Sequence, residues 1–166
     1  MTLIATLLGL LFPACGQSGA AGVTPAPAGF LSHLERPASP NSALAAPAGF
    51  TPAPDLVLAP YPVPAATLAA ALRATALAAP RIYQLGASAD GLEMQFVARS
   101  AVANFPDLIV ARISSLRDNE SSLVLYSHSL YGHSDFGVNR KRLRQWLTAL
   151  DQRLPPAAGE TRPKGQ

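Results

Sequence analysis

The stretch YSHSLYGHSDFGVNRKRLRQW, residues 126–146, decides how the C-terminal half of the chain folds. Its first residues continue an apolar run typical of a strand, and its last residues open an amphipathic helix over 140–154. Gly132 and Gly137 stand where the chain must turn from strand to helix. Asn139 is then expected to be the N-cap of that helix. The apolar face of the helix is formed by Leu143, Trp146, Leu147, Leu150 and Leu154.

Upstream of this stretch the sequence predicts a sheet and a second helix. The segment AATLAAALRATALAA, residues 65–79, has high helix propensity and places Leu68, Leu72 and Ala76 on one face. A short strand is expected within 55–63. Turn-forming residues separate four further predicted strands, at 81–87, 93–100, 108–116 and 122–130. We therefore predict an α+β domain: an antiparallel meander of about four to five strands with two helices packed on one face and a wetter second face.

The N-terminus has the pattern of an export signal. The apolar run Leu3 to Phe12 is too short to span a bilayer but has the length of a secretory signal core. It ends next to Cys15, the only cysteine, at the place where bacterial lipoprotein signals carry the thiol that is acylated. We expect residues 1–15 to be a signal peptide with a candidate lipobox and Cys15 to be lipidated. A plain signal peptide cut elsewhere, or a misplaced start codon, is the alternative.

Composition divides the rest of the chain into three parts. Residues 16–54 are rich in Ala, Pro, Gly and Ser, which predicts a flexible tether. Within them the pentapeptide APAGF occurs twice, ending at Phe30 and Phe50, either as a docking motif or as a chance recurrence. The folded domain is expected over 55–154, and the tail 155–166 is expected to be disordered.

The positive charge of the chain is concentrated at the start of the last helix. The formal net charge is only +3, which is too low for a general nucleic-acid binder, so no nucleic-acid partner is expected. Cations at Arg140, Lys141 and Arg142 oppose the helix macrodipole and therefore require a negative partner. A helical wheel points Arg140 toward the sheet, where Asp135 or Asp107 could pair with it and hold the fold. The alternative partner is an external anion, such as a lipid headgroup or an acidic glycan.

The same stretch contains candidate residues for two kinds of reactive site, a metal site and a hydrolytic site. His128, His133 and Asp135 fit no strong zinc or iron spacing, so we expect no metal and no cofactor. Ser127, Ser129 or Ser134 could form a hydrolytic group with these histidines and Asp135. The G-x-S-x-G elbow of serine hydrolases is absent from the sequence.

The segment SHSLYGHSDFGVNRKRL resembles the bacterial and plastid family catalogued as domain of unknown function 1499, whose hallmark reads approximately S-x-S-x-x-G-x-S-D-x-G-x-N-R-x-R. NFPD around Asp107 is similar to the family's Phe-x-Asp segment, and RPASPNSAL is similar to its Pro-Asn-Cys segment with Ser42 in place of cysteine. The resemblance covers about 36–150 and implies an envelope or organelle-lumen setting and a common fold, but no activity. Leu130 and His133 depart from the Arg and Tyr of many members. The hallmark positions are matched by Ser127, Ser129, Gly132, Ser134, Asp135, Gly137, Asn139, Arg140 and Arg142.

Together these features predict an exported envelope protein, periplasmic or membrane-anchored as a lipoprotein. Its expected partners are the membrane, through the lipid anchor, and an anionic ligand such as a lipid headgroup or glycan. We favour a non-catalytic domain that binds a ligand or partner. The alternative is a small envelope hydrolase that uses Ser, His and Asp near residues 127–135.

Overall fold

The computed structural model describes residues 13–154, an α+β fold with one six-stranded mixed sheet and two α-helices. The signal run and the C-terminal tail lie outside the described residues. Two short 3-10 turns, Pro13–Gly16 and Phe30–His33, precede the sheet. The strands are β1 (Ser42–Pro47), β2 (Leu56–Leu58), β3 (Ile82–Ala87), β4 (Glu93–Arg99), β5 (Pro106–Arg117) and β6 (Glu120–Ser129), and the helices are α1 (Ala65–Ala78) and α2 (Val138–Arg153).

The predicted meander is present, but it forms only part of the sheet. Strands β3 to β6 pair antiparallel with their neighbours, in the order expected from the short turns between them. Strand β1 then adds to β6 antiparallel, and β2 adds to β1 in parallel, so the sheet order is β2-β1-β6-β5-β4-β3. The sheet is therefore larger than predicted and mixed rather than antiparallel throughout.

The two helices cover one face of the sheet, as predicted. Leu68 and Leu72 of α1 and Leu143 of α2 are fully buried there, together with inward-facing residues of β4, β5 and β6. The ring of Trp146 meets that of Phe96 edge to face, with centroids 5.7 Å apart. The predicted apolar stripe of α2 is thus the side of the helix that packs on the sheet.

The second face is covered as well, which corrects the expectations of a wetter face and of a flexible tether over 16–54. Residues Val23, Leu31 and Leu34 are buried against it. Both phenylalanines of the APAGF repeat, Phe30 and Phe50, pack on the same cluster. Prolines and alanines suggested a tether because few side chains there are large, but the sheet supplies the apolar surface that these residues cover. The folded region therefore begins well before residue 55.

Arg99 fixes the first part of this covering segment. It lies in β4, is only 4% exposed, and its guanidinium donates hydrogen bonds to the carbonyl oxygens of Ala14, Gly19 (2.9 Å) and Ala21 (2.6 Å). Asn104 adds two more, from Nδ2 to the carbonyl oxygens of Cys15 and Gln17, both at 2.7 Å. Burial lowers the pKa of Arg99, and the carbonyl dipoles replace the water that the cation has lost.

A buried polar network as candidate functional site

A network of polar side chains joins the N-terminal end of α2 to the sheet, and we call it the polar lock. Residues alternate between the two faces of a strand, so Asp107 shares the helix side of β5 with Ile109, and Ser127 shares that of β6 with Leu125. Asp107 also stands opposite Ser129 in the β5–β6 register. The members of the polar lock are Asn41, Asp107, Ser127, Ser129, Asn139 and Arg142.

An ion pair closes one side of the polar lock. Arg142 Nη2 lies 2.6 Å from Asp107 Oδ2, and the two side chains are 13% and 11% exposed. The other terminal nitrogen of Arg142 donates to Ser127 Oγ at 3.0 Å and to Asn139 Oδ1 at 2.5 Å. Because both charges are largely withdrawn from water, removal of either one would leave the other uncompensated.

Asn139 occupies the centre of the polar lock and is completely buried. Its Oδ1 accepts a hydrogen bond from Ser127 Oγ, and its Nδ2 donates to the carbonyl oxygen of Asn41 and to Ser129 Oγ, each at 3.1 Å. Asn41 in turn donates from Nδ2 to the carbonyl oxygen of Gly132 at 2.8 Å. The amide of Asn139 therefore has partners on both its oxygen and its nitrogen, and it ties the chain before β1 to β6 and α2.

The turn into α2 is organised by Asp135, not by Asn139. The Asp135 carboxylate accepts hydrogen bonds from the backbone N–H groups of Gly137 (2.9 Å) and Asn139 (2.8 Å). Gly137 is the N-cap, with a left-handed φ of 78° that favours glycine. The expectation that Asn139 caps the helix is therefore wrong, because the helix begins at Val138, two residues earlier than expected, and the Asn139 side chain points into the polar lock. The Asp135 carboxylate also offsets the cations of the first turn.

The predicted role of Arg140 belongs to Arg142. Arg140 is exposed, and its Nη2 donates to the backbone carbonyl of Asp55 at 3.3 Å. At about 100° per residue, Arg140 and Arg142 flank the apolar stripe of α2 on opposite sides, and Arg140 is the nearer of the two to the stripe. Asp107 lies on the Arg142 side, and this decides which arginine forms the ion pair.

A model of the family described as Protein of unknown function (DUF1499) matches residues 34–150 of the chain. The chain belongs to the DUF1499 family. No curated protein and no solved structure matches it. Every member of the polar lock lies within the matched residues, so the DUF1499 signature near the C-terminus and the Pro-Asn segment far upstream meet in one network.

The remaining DUF1499 signature residues shape the turn rather than the network. Gly132 accepts the hydrogen bond from Asn41 through its carbonyl oxygen. Ser134 Oγ accepts one from the backbone N–H of Phe136 at 3.2 Å. Asn41 was not singled out by sequence reasoning, although the Pro-Asn segment contained the signal.

The structure separates the serines and the histidine of the proposed hydrolytic group. His128 lies on the opposite face of β6 from Ser127 and stacks on the ring of Tyr126, with centroids 5.3 Å apart. Burial lowers the pKa of His128, against smaller opposite effects of Ser129 and Asp107. His133 and Ser134 are exposed in the turn. Ser127 and Ser129 therefore lack His128 as a general base.

Metal-ligating side chains are also dispersed: within residues 13–154 there is no group of three or more His, Cys, Asp or Glu that could hold an ion.

None of the helices in the described part of the chain is long and apolar enough to cross a membrane.

The turn before α2 and the first turns of that helix expose apolar and basic side chains close together in the sequence, and we call these residues the basic-apolar surface. Phe136 is 95% exposed and Val138 is 49% exposed. Arg140, Lys141 and Arg144 follow in the first turns of α2, and all three are exposed. The signature segment therefore buries Ser127 and Asn139 in the polar lock and exposes an aromatic ring and cations in the following turn and helix.

Proposed function

We propose that this DUF1499 chain is an exported envelope protein, lipid-anchored at Cys15, whose folded domain binds anionic lipid headgroups without catalysing a reaction. The observation that carries the proposal is the basic-apolar surface, in which an aromatic ring that is 95% exposed is followed in the sequence by three exposed cations. The signature residues of the polar lock, in contrast, are engaged inside the domain.

Phe136 is held outward by its own turn. It has a left-handed φ of 53°, which is uncommon for a bulky residue. The backbone N–H of Phe136 donates to Ser134 Oγ, and that of Gly137 donates to Asp135 Oδ1; these two hydrogen bonds hold the turn in this conformation. Such conformations persist only where surrounding structure enforces them, and they cluster at functional sites. An aromatic ring that the backbone holds exposed to solvent is suited to the boundary between lipid headgroups and acyl chains.

The cations beside Phe136 supply the attraction to an anionic surface. Within residues 13–154, neither Lys141 nor Arg144 forms an ion pair. Near an anionic membrane each such side chain contributes about 1 kcal/mol. Headgroup phosphates and the ring of Phe136 would then be engaged by the same end of the domain.

The proposed anchor draws its support from the sequence around Cys15. In the structure the thiol is buried, and burial raises its pKa, against an opposing effect of Arg99. A lipid on Sγ would require the Pro13–Gly16 turn to move away from the sheet. We therefore infer that acylation precedes docking of this segment on Arg99 and Asn104.

The membrane-binding proposal is tested by co-sedimentation with vesicles, using the full chain carrying Cys15→Ser so that no acyl chain is attached. Vesicles containing phosphatidylglycerol should bind at least tenfold more protein than pure phosphatidylcholine vesicles. Phe136→Ser and the double variant Arg140→Ser, Arg144→Ser should each remove most of this difference, whereas Arg117→Ser, an exposed arginine at the far end of β5, should preserve it. Equal loss in all variants, or no preference for the anionic vesicles, would contradict the proposal.

The anchor has its own test in a bacterial host fed a palmitate analogue. The wild-type chain should incorporate the label and move with the membrane fraction, and Cys15→Ser should do neither, because no other cysteine is available. Labelling that survives in Cys15→Ser, or a wild-type chain without label, would rule out the anchor.

A further inference from the structure

A cleft of about 660 Å³ lies along one flank of α2, between that helix and the C-terminal end of α1. Ile82, Trp146 and Ala149 contribute apolar surface to its lining. Its volume is within the range of cavities that hold small molecules. The cleft shares one residue with the polar lock, Arg142, which lines the cleft and is paired with Asp107.

A buried hydroxyl group without a partner lines this cleft. Thr75 is 4% exposed, and its Oγ1 has no hydrogen-bond partner among the residues that the structure describes. A threonine within a helix commonly satisfies its hydroxyl at the carbonyl of the preceding turn, but Thr75 does not. Buried polar atoms are nearly always paired, so an unpaired one in the wall of a cleft marks a place for a ligand oxygen.

The charge of the cleft has one sign. Lys141 and Arg153 both line it, about 18 Å apart along α2 at 1.5 Å per residue, and Arg142, which is paired with Asp107, also contributes to the lining. Among residues 13–154 no Asp or Glu lines the cleft, and the acidic residue of α2, Asp151, hydrogen-bonds Tyr61. An elongated apolar surface with cations at both ends is complementary to a long apolar molecule that carries a negative group.

We propose that this cleft binds a single-chain amphiphile with an anionic carboxylate or phosphate head. The alkyl chain lies against Ile82, Trp146 and Ala149, a ligand oxygen accepts a hydrogen bond from Thr75 Oγ1, and the cation at one end of the cleft, Lys141 or Arg153, neutralises the head. The inference rests on the proposed function for its ligand class, lipids, but it places a second site in the cleft, which shares Val138 and Lys141 with the basic-apolar surface and includes neither Phe136, Arg140 nor Arg144. It assigns to the domain the capture of one lipid-like molecule, apart from contact with a bilayer.

Fluorescence of Trp146, the only tryptophan, reports directly on the cleft. Dodecanoate and dodecyl phosphate, below the concentrations at which they form micelles, should each change its emission saturably, or one of them should do so and thereby identify the head. Neutral dodecyl maltoside and inorganic phosphate should bind at least tenfold more weakly. Saturation by neither anion, or equal binding of the neutral detergent or of phosphate alone, would overturn the proposal.

Variants locate the site. Ala149→Trp fills the cleft and should abolish binding as measured by calorimetry, whereas Ala74→Trp on the exposed side of α1 should not. Lys141→Ala with Arg153→Ala should raise Kd about tenfold, and Arg117→Ala, an exposed arginine at the end of β5 that does not line the cleft, should leave it unchanged. Thr75→Val should weaken binding several-fold without lowering the melting temperature of the free protein, because the hydroxyl has no internal partner to lose. A loss of melting temperature in Thr75→Val, or full binding by Ala149→Trp, would refute the assignment.

The two proposals fail separately. If vesicle binding depends on Phe136 but the cleft variants do not affect amphiphile binding, the cleft proposal is wrong and membrane contact stands. If amphiphiles bind in the cleft and vesicles do not bind, membrane contact is wrong and the domain is a carrier of single lipids.

Discussion

At the scale of single residues, two arginines two positions apart have opposite environments. Arg142 reaches the buried carboxylate of Asp107, whereas Arg140 lies on the surface and donates a hydrogen bond to a backbone carbonyl. The helical repeat places both beside the apolar stripe and favours Arg140. The actual partner depends on where β5 places Asp107, which is a long-range property of the sheet. The sequence therefore predicted an arginine–carboxylate pair with Asp107 as one of two candidate acids, but it indicated the wrong arginine.

His128 gives a residue-scale prediction about pH. Burial lowers its pKa below the ordinary value of 6.5, so the unfolded chain takes up a proton on acidification before the folded chain does. The free energy of unfolding should therefore fall as pH decreases below about 6.5. Urea denaturation at pH 7.5 and pH 5 measures the fall, and His128→Gln should reduce it.

The exposed His133 provides the matched control for this experiment. His133→Gln should keep the wild-type dependence on pH between 7.5 and 5. If His128→Gln and His133→Gln behave alike, burial of His128 is not the source of the dependence.

At the scale of elements, the strands and helices with strong local patterns were predictable and β1 was not. Strands β3 to β6 contain alternating or continuous apolar residues between turn-forming sequences, and both helices have apolar stripes. Strand β1 reads SALAAP, without a β-branched or aromatic side chain, inside a segment of similar composition. It is nevertheless almost fully buried, because it lies between β6 and β2 and pairs with both. Small side chains fit between the two neighbouring strands, but their local sequence does not indicate a strand.

The segment before β1 depends on one buried cation, which gives a prediction at this scale. Arg99→Met removes the hydrogen bonds to the carbonyl oxygens of Ala14, Gly19 and Ala21. The covering segment should then open, and chymotrypsin should cleave at Phe30 at least tenfold faster than in the wild type, as followed by mass spectrometry. Arg73→Met, an exposed arginine on α1, is the control and should leave the rate unchanged. Rapid cleavage at Phe30 in the wild type would show that the segment is not held.

At the scale of the whole molecule, α2 organises three different surfaces. Leu143 and Trp146 pack on the sheet, Arg140 and Arg144 face outward beside Phe136, and Ala149 lines the cleft. The polar lock fixes the N-terminal end of this helix by joining residues as far apart as Asn41 and Asn139. The residues of this chain that match the DUF1499 hallmark thus include three that hold the fold, Ser127, Asn139 and Arg142, and the proposed binding uses the surfaces that the fold presents.

The sequence indicated only in part which residues hold the fold and which form the exposed surfaces. The concentration of charge near Arg140 and the glycines of the turn indicated where the important contacts would lie. The exposed ring of Phe136 and the unpaired hydroxyl of Thr75 have no signature in the sequence, because exposure and missing partners arise only when distant elements come together. For the same reason, the sequence did not predict that the segment before β1 covers the second face of the sheet.

Urea denaturation of an Arg142 variant and an Arg140 variant shows whether the polar lock stabilises the fold through Arg142. Arg142→Ala leaves Asp107 largely buried without its partner, and its free energy of unfolding should fall by about 3 kcal/mol or more. Arg140→Ala alters an exposed side chain and should change that free energy by no more than about 0.5 kcal/mol. Equal stability of the two variants, or a greater loss in Arg140→Ala, would contradict the account.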